Sequence, residues 1–313
     1  MDMNLKDRMR GCLMGLAVGD ALGFGAEFMS KSQVAIHYPD GLKQYKDIVV
    51  DRWRKEEHIG HWTDDTDMML AILDSILENK ELKPQSVAEH FIRWVETSPW
   101  DMGMLTSDVL NSPSYLSNPM ACAKREWENS GRNSAGNGGL MRTAITAVWK
   151  YDDWEAIKKN TVDVCRLTHY DPRCVGSCVV LCFMLYKIWR NETCTKRELL
   201  ELSKEFDERI GKFIEFGYRD NLPMLVLDGP DKGYTLKAMA TAIWAYNFAE
   251  NYFDGIQQII MEGGDADTNC AIAGPILGAK FGYDSIPTPL IEELKENKVL
   301  KDKINSLLDL IHL

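Results

Sequence analysis

A pair of glycines followed by two alternating aspartates constrains this chain more than any other stretch, at Gly263-Gly264-Asp265-Ala266-Asp267-Thr268. Glycines allow a backbone with positive φ or a close approach to a neighbouring segment. A run of small and apolar residues follows over 270–281, so we expect a helix to begin near the aspartates. Aspartate and threonine are favoured at helix N-caps. Their oxygens are also the ligands that Mg²⁺ and Mn²⁺ prefer, and the stretch alone leaves both interpretations open.

Hydrophobic periodicity predicts that the rest of the chain is helical as well. Apolar residues such as Leu5, Met9 and Leu16 recur at helical spacing over 5–22. Further helices are predicted over 68–78, from 84 onward, and over 120–129, 140–149, 153–167, 172–189, 196–206, 234–248, 251–261 and 289–313. A brief strand is considered only at 48–50. Because no repeat, low-complexity segment or linker is evident, we expect a single all-α domain over residues 1–313.

Composition and charge narrow the functional classes. The formal net charge of −11 argues against a general nucleic-acid binder, which would carry a basic face. No run of about 18 apolar residues is evident, so no membrane span is expected. The charged segment 1–10 lacks the apolar core of a signal peptide. The eight cysteines mostly lie in apolar surroundings and are expected to be reduced, buried thiols. We therefore expect a cytoplasmic protein, and a monomer.

A second acidic cluster, Thr63-Asp64-Asp65-Thr66-Asp67, precedes the helix predicted from residue 68. Thr63 fits an N-cap, and the acids suit the positive end of the helix dipole. Aspartates so close together also repel one another, and a cation would relieve that repulsion. If the two acidic helix starts meet, they form an oxygen cage for two divalent cations, which can orient hydroxyl groups or activate water.

Polar groups elsewhere indicate what such a cage would bind. Gly136 to Gly139 lie in a glycine-rich loop before a helix, which is either an anion site or a flexible connection. His169 is either a donor to a ligand or a structural histidine. Asp20 and Glu27 are carboxylates among apolar residues, which is unusual unless such groups are paired or functional. The alternative is that Asp20 caps a helix or forms a salt bridge and that Glu27 is exposed. A nucleotide sugar, which carries a diol and a phosphate, would satisfy both kinds of site.

Five motifs occur in an order that resembles the ADP-ribosylglycohydrolase family, of the type that includes dinitrogenase-reductase-activating glycohydrolase. They are Gly11-Cys12-Leu13-Met14-Gly15-Leu16-Ala17-Val18-Gly19-Asp20-Ala21-Leu22-Gly23 with Glu27, Trp62-Thr63-Asp64-Asp65-Thr66, Gly136-Asn137-Gly138-Gly139-Leu140-Met141-Arg142, Thr168-His169 and Gly263-Gly264-Asp265-Ala266-Asp267-Thr268. Each motif is weak alone, whereas all five in order span nearly the whole chain and form a specific signal.

The resemblance implies a compact all-α domain of the ADP-ribosylglycohydrolase type with a binuclear Mg²⁺ or Mn²⁺ centre. The residues that match the family's metal ligands are Thr63, Asp64, Asp65, Asp265, Asp267 and Thr268. Glu27 matches a carboxylate on a mobile segment that acts as an acid or base or as a gate, and Asp64 and Asp65 would share in catalysis. The residues that match substrate contacts are Asn137, Gly138, Gly139, Met141, His169 and Tyr234.

The expected function is metal-dependent hydrolysis of the glycosidic bond at C1″ of ADP-ribose, which removes ADP-ribose from a modified acceptor. Arginine is the default acceptor by analogy with the family, while serine or a small ester stays open. The partner is accordingly an ADP-ribosylated protein or a small ADP-ribose conjugate. Two alternatives remain: a two-metal phosphohydrolase of a nucleotide, and a catalytically silent ADP-ribose-binding or structural member of the family.

Overall fold

Helices are the regular secondary structure over residues 4–313, which the computed structural model describes. The first three residues of the charged segment 1–10 lie outside the described part. The helices are α1 (Leu5–Gly23), α2 (Lys31–His37), α3 (Asp64–Asn79), α4 (Pro84–Glu96), α5 (Met104–Leu110), α6 (Pro119–Asn129), α7 (Ala144–Trp149), α8 (Trp154–Arg166), α9 (Pro172–Trp189), α10 (Lys196–Ser203), α11 (Glu208–Gly217), α12 (Thr235–Phe248), α13 (Tyr252–Glu262), α14 (Ala266–Phe281), α15 (Thr288–Glu292) and α16 (Asn297–Leu310). The all-α prediction is confirmed.

The strand considered at 48–50 is wrong. Ile48 has an extended backbone, with φ −62° and ψ 123°, but no described segment pairs with it as a strand. The amide of Val49 donates to the Tyr38 hydroxyl at 3.1 Å, so a side chain takes the place of a neighbouring strand. The segment therefore forms part of the connection between α2 and α3.

The helix predicted over 140–149 starts later than expected, at Ala144. The amides of Leu140 and Met141 both donate to the Asn137 carbonyl, at 2.7 and 3.1 Å. Two donors that share one acceptor produce a tight turn in place of the regular α-helical pattern. The residues after the glycine-rich loop thus form a tight turn before α7 begins.

α11 lies in a polar segment for which the sequence predicted only the helix over 196–206. Its buried face consists of Ile210, Ile214 and Gly217. Ile210, Phe213, Ile214 and Gly217 follow helical spacing, so the sequence carries a local signal for this helix that the prediction did not use. The helix owes its position to packing against α12.

The core is built around α1 and α14, which run antiparallel in close contact. Glycines recur at every fourth position of α1, and each faces a small residue of α14. A Cβ atom at Gly19 would lie 2.5 Å from the Cys270 carbonyl oxygen, so the backbones are too close for a larger residue. Because the helices are antiparallel, the end of α1 meets the start of α14, where the acids lie. The facing pairs are Gly11–Gly278, Gly15–Gly274, Gly19–Cys270 and Gly23–Ala266.

α9 is the one described helix that is long and apolar enough by itself to cross a membrane, and a bent pair made of 5–26 and α2 passes the same test jointly. Most of α9 is buried by neighbouring helices, as in the core helix of a globular fold. Its cysteines Cys174, Cys178 and Cys182 are buried free thiols. All eight cysteines are buried and form no disulfide, as the composition predicted.

Candidate active site

The glycine pair before α14 has two structural roles. Gly263 and Gly264 have φ angles of 67° and 76°, which residues with a side chain rarely adopt. The Gly264 carbonyl accepts a hydrogen bond of 2.6 Å from the Phe28 amide, and the Gly264 amide donates to the Met29 carbonyl at 2.8 Å. This two-way pairing holds the segment that carries Glu27 beside the start of α14.

Asp265 occupies the N-cap position of α14, but its side chain makes no hydrogen bond to the first turn of that helix. Its Oδ2 atom accepts a hydrogen bond of 2.7 Å from Asn137 Nδ2 instead. Asn137 belongs to the glycine-rich loop, so this bond joins the loop to the acidic cluster. The N-cap interpretation is therefore right for the position of Asp265 and wrong for its side chain, which lines a cavity.

Asp20 fixes the start of α3 from within α1. Its Oδ1 atom accepts hydrogen bonds from the amide and hydroxyl of Thr63, at 3.0 and 2.8 Å. Its Oδ2 atom accepts from the amide and hydroxyl of Thr66, at 3.0 and 2.6 Å. Burial raises the pKa of Asp20 to about 7, although these hydrogen bonds favour the charged form. Asp20 is thus a paired, positioning carboxylate, one of the alternatives that the sequence left open.

The starts of α3 and α14 meet at Asp65. Its Oδ2 atom lies 2.9 Å from the Thr63 hydroxyl and 3.3 Å from the Thr268 hydroxyl. Asp64 faces a different direction, lines the cavity and accepts a hydrogen bond of 3.1 Å from the Gly103 amide. The neighbouring aspartates of α3 therefore serve two places, the helix junction and the cavity.

A carboxylate absent from the predicted set completes the cluster. Asp101 lies in the loop before α5, and its carboxylate oxygen is within 4.8 Å of carboxylate oxygens of Glu27 and Asp267. Such separations suit a shared cation. The hydrogen bond from Gly103 to Asp64 holds this loop against α3. A single acid in an irregular loop carries no signal in the sequence, so only the tertiary structure reveals it.

The buried carboxylates fit divalent cations. The Oδ1 atoms of Asp65 and Asp267 are buried and have no hydrogen-bond partner among residues 4–313. Burial, followed by repulsion from neighbouring carboxylates, raises the pKa of Asp64 to about 7 and that of Asp101 to about 6. The same causes raise the pKa of Glu27 well above its usual value. A cation would supply the missing partners and remove the repulsion, and these oxygens are the ligands that Mg²⁺ and Mn²⁺ prefer.

Glu27 is held in place by two side chains of the connection between α2 and α3. Trp53 Nε1 donates to Glu27 Oε2 at 2.8 Å, and Arg54 Nη1 donates to the Glu27 carbonyl oxygen at 2.8 Å. Phe28, the next residue, has a φ of 58°, and its ring centroid lies 5.2 Å from that of Trp53. Both rings are nearly half exposed. Glu27 is therefore buried and hydrogen-bonded to the Trp53 indole, and it lies beside the partly exposed rings of Phe28 and Trp53.

A cavity of about 860 Å³ contains both the acidic cluster and the glycine-rich loop. This volume falls in the range of small-ligand sites. The predicted site residues that line it are Glu27, Asp64, Asn137, Gly138, Met141, His169, Asp265, Asp267 and Thr268. Thr63 and Asp65 lie outside the lining, buried at the junction of α3 and α14.

Gly139 and Tyr234 also lie outside the lining of the cavity. A Cβ atom on Gly139 would come within 3.0 Å of the His169 Cβ atom, so Gly139 lets the loop pack closely on the histidine. Tyr234 forms an isolated backbone bridge with Gly136, and its hydroxyl accepts a hydrogen bond of 3.5 Å from Arg173. Direct contact of these two residues with substrate stays a prediction.

His169 lies under the glycine-rich loop. A Cβ atom on Gly138 would lie 3.0 Å from its Cε1 atom and 3.2 Å from its Nε2 atom, which explains the glycine at that position. Burial and the positive charge of Arg142 lower the pKa of His169 to about 3. The imidazole is therefore neutral at pH 7 and suits hydrogen bonding better than proton transfer.

The model of the ADP-ribosylglycohydrolase family matches residues 1–313 of this chain. The chain belongs to this family. The ADP-ribosyl-[dinitrogen reductase] glycohydrolase of Rhodospirillum rubrum is 26% identical to this ADP-ribosylglycohydrolase over 309 residues, which cover 98% of this chain and 97% of the relative. ADP-ribosylarginine hydrolase Tri1 of Serratia proteamaculans (strain 568) is 26% identical over 96% of this chain and 78% of its own.

A solved structure described as an ADP-ribosylglycohydrolase-related protein complex has the same fold as this ADP-ribosylglycohydrolase. The TM-score is 0.74, at 23% identity, and the match covers 98% of each chain. The resemblance drawn from the five motifs is thus confirmed, and the protein is a glycosidase-type hydrolase.

Proposed function

We propose that this ADP-ribosylglycohydrolase hydrolyses the bond between C1″ of ADP-ribose and a modified arginine, and that the reaction depends on two divalent cations, Mg²⁺ or Mn²⁺. The observation that carries the proposal is the shared cavity, which the acidic cluster and the glycine-rich loop line together. The amide of Gly138, which lines the cavity, has no acceptor among residues 4–313 and can donate to a diphosphate. The carboxylates supply hard oxygen ligands near the same space.

The residues that would hold the cations are Thr63, Asp64, Asp65, Asp265, Asp267 and Thr268, joined by Asp101. Bound divalent cations orient the vicinal hydroxyls of a ribose and polarise water. Asp20 lies in α1, and both of its carboxylate oxygens accept hydrogen bonds from threonines at the start of α3. Because α1 packs closely on α14, Asp20 keeps the start of α3 beside the start of α14. Asn137 links Asp265 to the loop, so the cation ligands and the proposed diphosphate site have a direct connection.

Glu27 is the proposed group for proton transfer. Its carboxylate lines the cavity, and its oxygens lie within 4.8 Å of carboxylate oxygens of Asp101 and Asp267. Burial, followed by repulsion from Asp101, raises the pKa of Glu27, which favours a protonated carboxyl group. Cleavage at C1″ passes through an oxocarbenium-like state, which a carboxylate stabilises while a carboxylic acid protonates the leaving group.

Arginine is the proposed acceptor for two reasons. The relative from Serratia proteamaculans carries the name ADP-ribosylarginine hydrolase. A guanidinium is also a planar cation that pairs with carboxylates and stacks on aromatic faces, and the cavity is lined by both kinds of group. Its outer lining includes the acids Asp108 and Glu126 and the half-exposed rings of Phe28 and Trp53.

A panel of conjugates tests the proposal. Arginine-, serine- and acetyl-linked ADP-ribose would each be incubated with Mg²⁺, with Mn²⁺ and with a chelator, and the products separated by chromatography. We expect the arginine conjugate to be cleaved fastest, only with metal, and to release ADP-ribose with an intact diphosphate. Release of AMP or phosphate would instead establish a phosphohydrolase. Binding of ADP-ribose without turnover of any conjugate would establish a silent family member.

Two variants test the metal ligands. Asp64→Asn and Asp267→Asn each remove one charge from the cluster, and we expect kcat/KM to fall by at least about 100-fold. Asp152→Asn is the matched control, because Asp152 is exposed in a turn outside the cavity lining. If both ligand variants hydrolysed ADP-ribosyl-arginine as fast as the control, the metal mechanism would be wrong.

A further inference from the structure

Arg142 is a completely buried cation whose partners include no carboxylate. Its Nη1 atom lies 3.2 Å from Met68 Sδ, and its Nη2 atom donates to the Thr168 hydroxyl at 2.6 Å and to the Val164 carbonyl at 3.4 Å. Its guanidinium lies 4.6 Å from the ring centroid of Phe91. Burying a charge without an opposite charge is costly, so such a residue calls for a specific role.

The Thr168 hydroxyl connects Arg142 to the histidine of the cavity wall. Its Oγ1 atom lies 2.6 Å from Arg142 Nη2 and 2.8 Å from His169 Nδ1. A guanidinium has only donors, so the threonine oxygen accepts from Arg142. The single hydroxyl hydrogen is then directed to His169 Nδ1, which is its one acceptor within residues 4–313. In the opposite arrangement, with a proton on Nδ1, that buried hydroxyl hydrogen would have no acceptor.

A neutral imidazole carries one proton, so an accepting Nδ1 atom places that proton on Nε2. Burial of the ring, followed by the charge of Arg142, keeps His169 neutral, because both lower its pKa. Cys165 makes hydrogen bonds to the histidine only through the main chain of that residue: its thiol donates to the His169 carbonyl at 3.4 Å, and its carbonyl accepts from the His169 amide at 2.8 Å. No neighbour in the described part of the chain competes for Nδ1.

The Nε2 edge of the ring faces the space beside the glycine-rich loop. The histidine lines the cavity. An ideal Cβ atom at Gly136 would lie 3.5 Å from Nε2, and one at Gly138 would lie 3.2 Å from it. The glycines therefore leave that edge uncovered by side chains, and no acceptor within residues 4–313 takes its hydrogen. A ligand oxygen beside the loop would meet the Nε2–H group and the Gly138 amide together.

We propose that Arg142 and Thr168 are positioning residues that lock His169 as the Nε2–H tautomer, so that it donates a hydrogen bond to a diphosphate oxygen of the substrate beside the glycine-rich loop. The proposal rests on the proposed function for the identity of the ligand, whereas the tautomer is a property of the protein alone. Arg142 orients the Thr168 hydroxyl, and that hydroxyl donates its hydrogen bond to His169 Nδ1. The proton of the imidazole therefore stays on Nε2, where it can be donated to a ligand in the cavity.

Nitrogen NMR of ¹⁵N-histidine-labelled protein at pH 7 tests the lock. The chain has six histidines, and a His169→Gln sample assigns the resonances of residue 169. We expect the Nε2–H tautomer alone in the wild type and in Thr168→Ser, which keeps the hydroxyl. In Thr168→Val we expect a mixture of tautomers. Thr161→Val is the matched control, since it removes another buried hydroxyl, paired with Thr146, and should leave the tautomer unchanged.

Calorimetric titration with ADP-ribose in the presence of Mg²⁺ supplies the second measurement. We expect the Kd to rise about five- to tenfold in Thr168→Val relative to Thr161→Val, as the loss of one well-directed hydrogen bond implies. A wild-type His169 that carries its proton on Nδ1, or both protons, would overturn the lock. So would a Thr168→Val protein with the wild-type tautomer and wild-type Kd. If the wild type bound no ADP-ribose while the tautomer was as expected, the proposed function would fail and the lock would stand.

Discussion

Replacing Gly19 by alanine tests whether the close contact of α1 and α14 builds the site. An alanine Cβ atom would lie 2.5 Å from the Cys270 carbonyl oxygen and 2.9 Å from its carbonyl carbon, whereas ordinary contacts begin at 3.4 Å. The backbones would have to separate by about 0.9 Å, because both contacted atoms belong to the main chain. Overpacking of this kind costs about 1–3 kcal/mol, against roughly 0.5–1 kcal/mol that alanine gains over glycine in a helix.

We therefore expect a net loss of about 1 kcal/mol in the free energy of unfolding. With an unfolding entropy of about 2.1 cal/mol/K per residue, this loss lowers the Tm of a 313-residue chain by roughly 2 °C. Gly211→Ala is the matched control, because Gly211 also lies within a helix and a Cβ atom there would have its nearest neighbour, Leu200 Cδ2, at 3.6 Å. That variant should raise the Tm by about 1 °C. Scanning calorimetry with a chelator present measures both.

The same substitution should weaken metal binding. Gly19 precedes Asp20, which holds the start of α3, so separating α1 from α14 also moves α3 away from Asp267. The rise in Tm caused by Mn²⁺ should therefore be smaller in Gly19→Ala than in Gly211→Ala. Equal stability of the two variants with an equal response to Mn²⁺ would refute the reasoning, since the close packing would then have no bearing on the acidic cluster.

Three further predictions concern the buried carboxylates. In Asp20→Asn an amide group faces the threonine donors of α3, so we expect a loss of about 1–3 kcal/mol on urea denaturation, and an unchanged midpoint would contradict the anchoring role. Asp101→Asn should weaken Mn²⁺ binding about 10–100-fold in calorimetric titration, and an unchanged affinity would remove Asp101 from the metal site. Without metal, the free energy of unfolding should rise as the pH is lowered from 8 to 5. Carboxyl groups such as Asp64, whose pKa is raised from 3.8 to about 7, bind more protons in the folded state, so their stabilisation is present at low pH and is lost as the pH rises through 7. His169, with its pKa lowered to about 3, opposes this trend as a single group. Mn²⁺ should flatten the dependence, and a metal-free protein that weakens steadily from pH 8 to 5 would disprove it.

The helices and the two acidic clusters could be predicted because their signals are local. Apolar spacing marks α1 and α9, and runs of acids next to threonine mark the starts of α3 and α14. Asp101 could not be found in this way, because its role arises from a loop that a backbone hydrogen bond from Gly103 to Asp64 holds against α3. The late start of α7 could not be predicted for a similar reason. It depends on two backbone amides that share the Asn137 carbonyl, and backbone hydrogen bonds leave no pattern of residue types in the sequence.

Asp20 is an intermediate case. A carboxylate within an otherwise apolar helix is a visible anomaly, and it indicates a paired or functional group. The partners could not be predicted, since Thr63 and Thr66 lie more than 40 residues away along the chain. The sequence therefore left the role of Asp20 open, whereas the packing of α1 beside α3 shows that it anchors the start of α3.

The glycines between α1 and α14 and the clustered carboxylates are structurally linked. Buried carboxylates that repel one another destabilise the folded chain, so they stay together only if the surrounding backbone cannot yield. The interface of α1 and α14 has that property, because main-chain atoms contact each other directly along four successive turns. In the proposed two-cation site, the fold would therefore hold the ligands in place before a cation binds, and relief of the repulsion between carboxylates would add to the affinity for the cation. We accordingly expect tight packing and metal binding to be coupled, so that a substitution that loosens the packing also weakens metal binding.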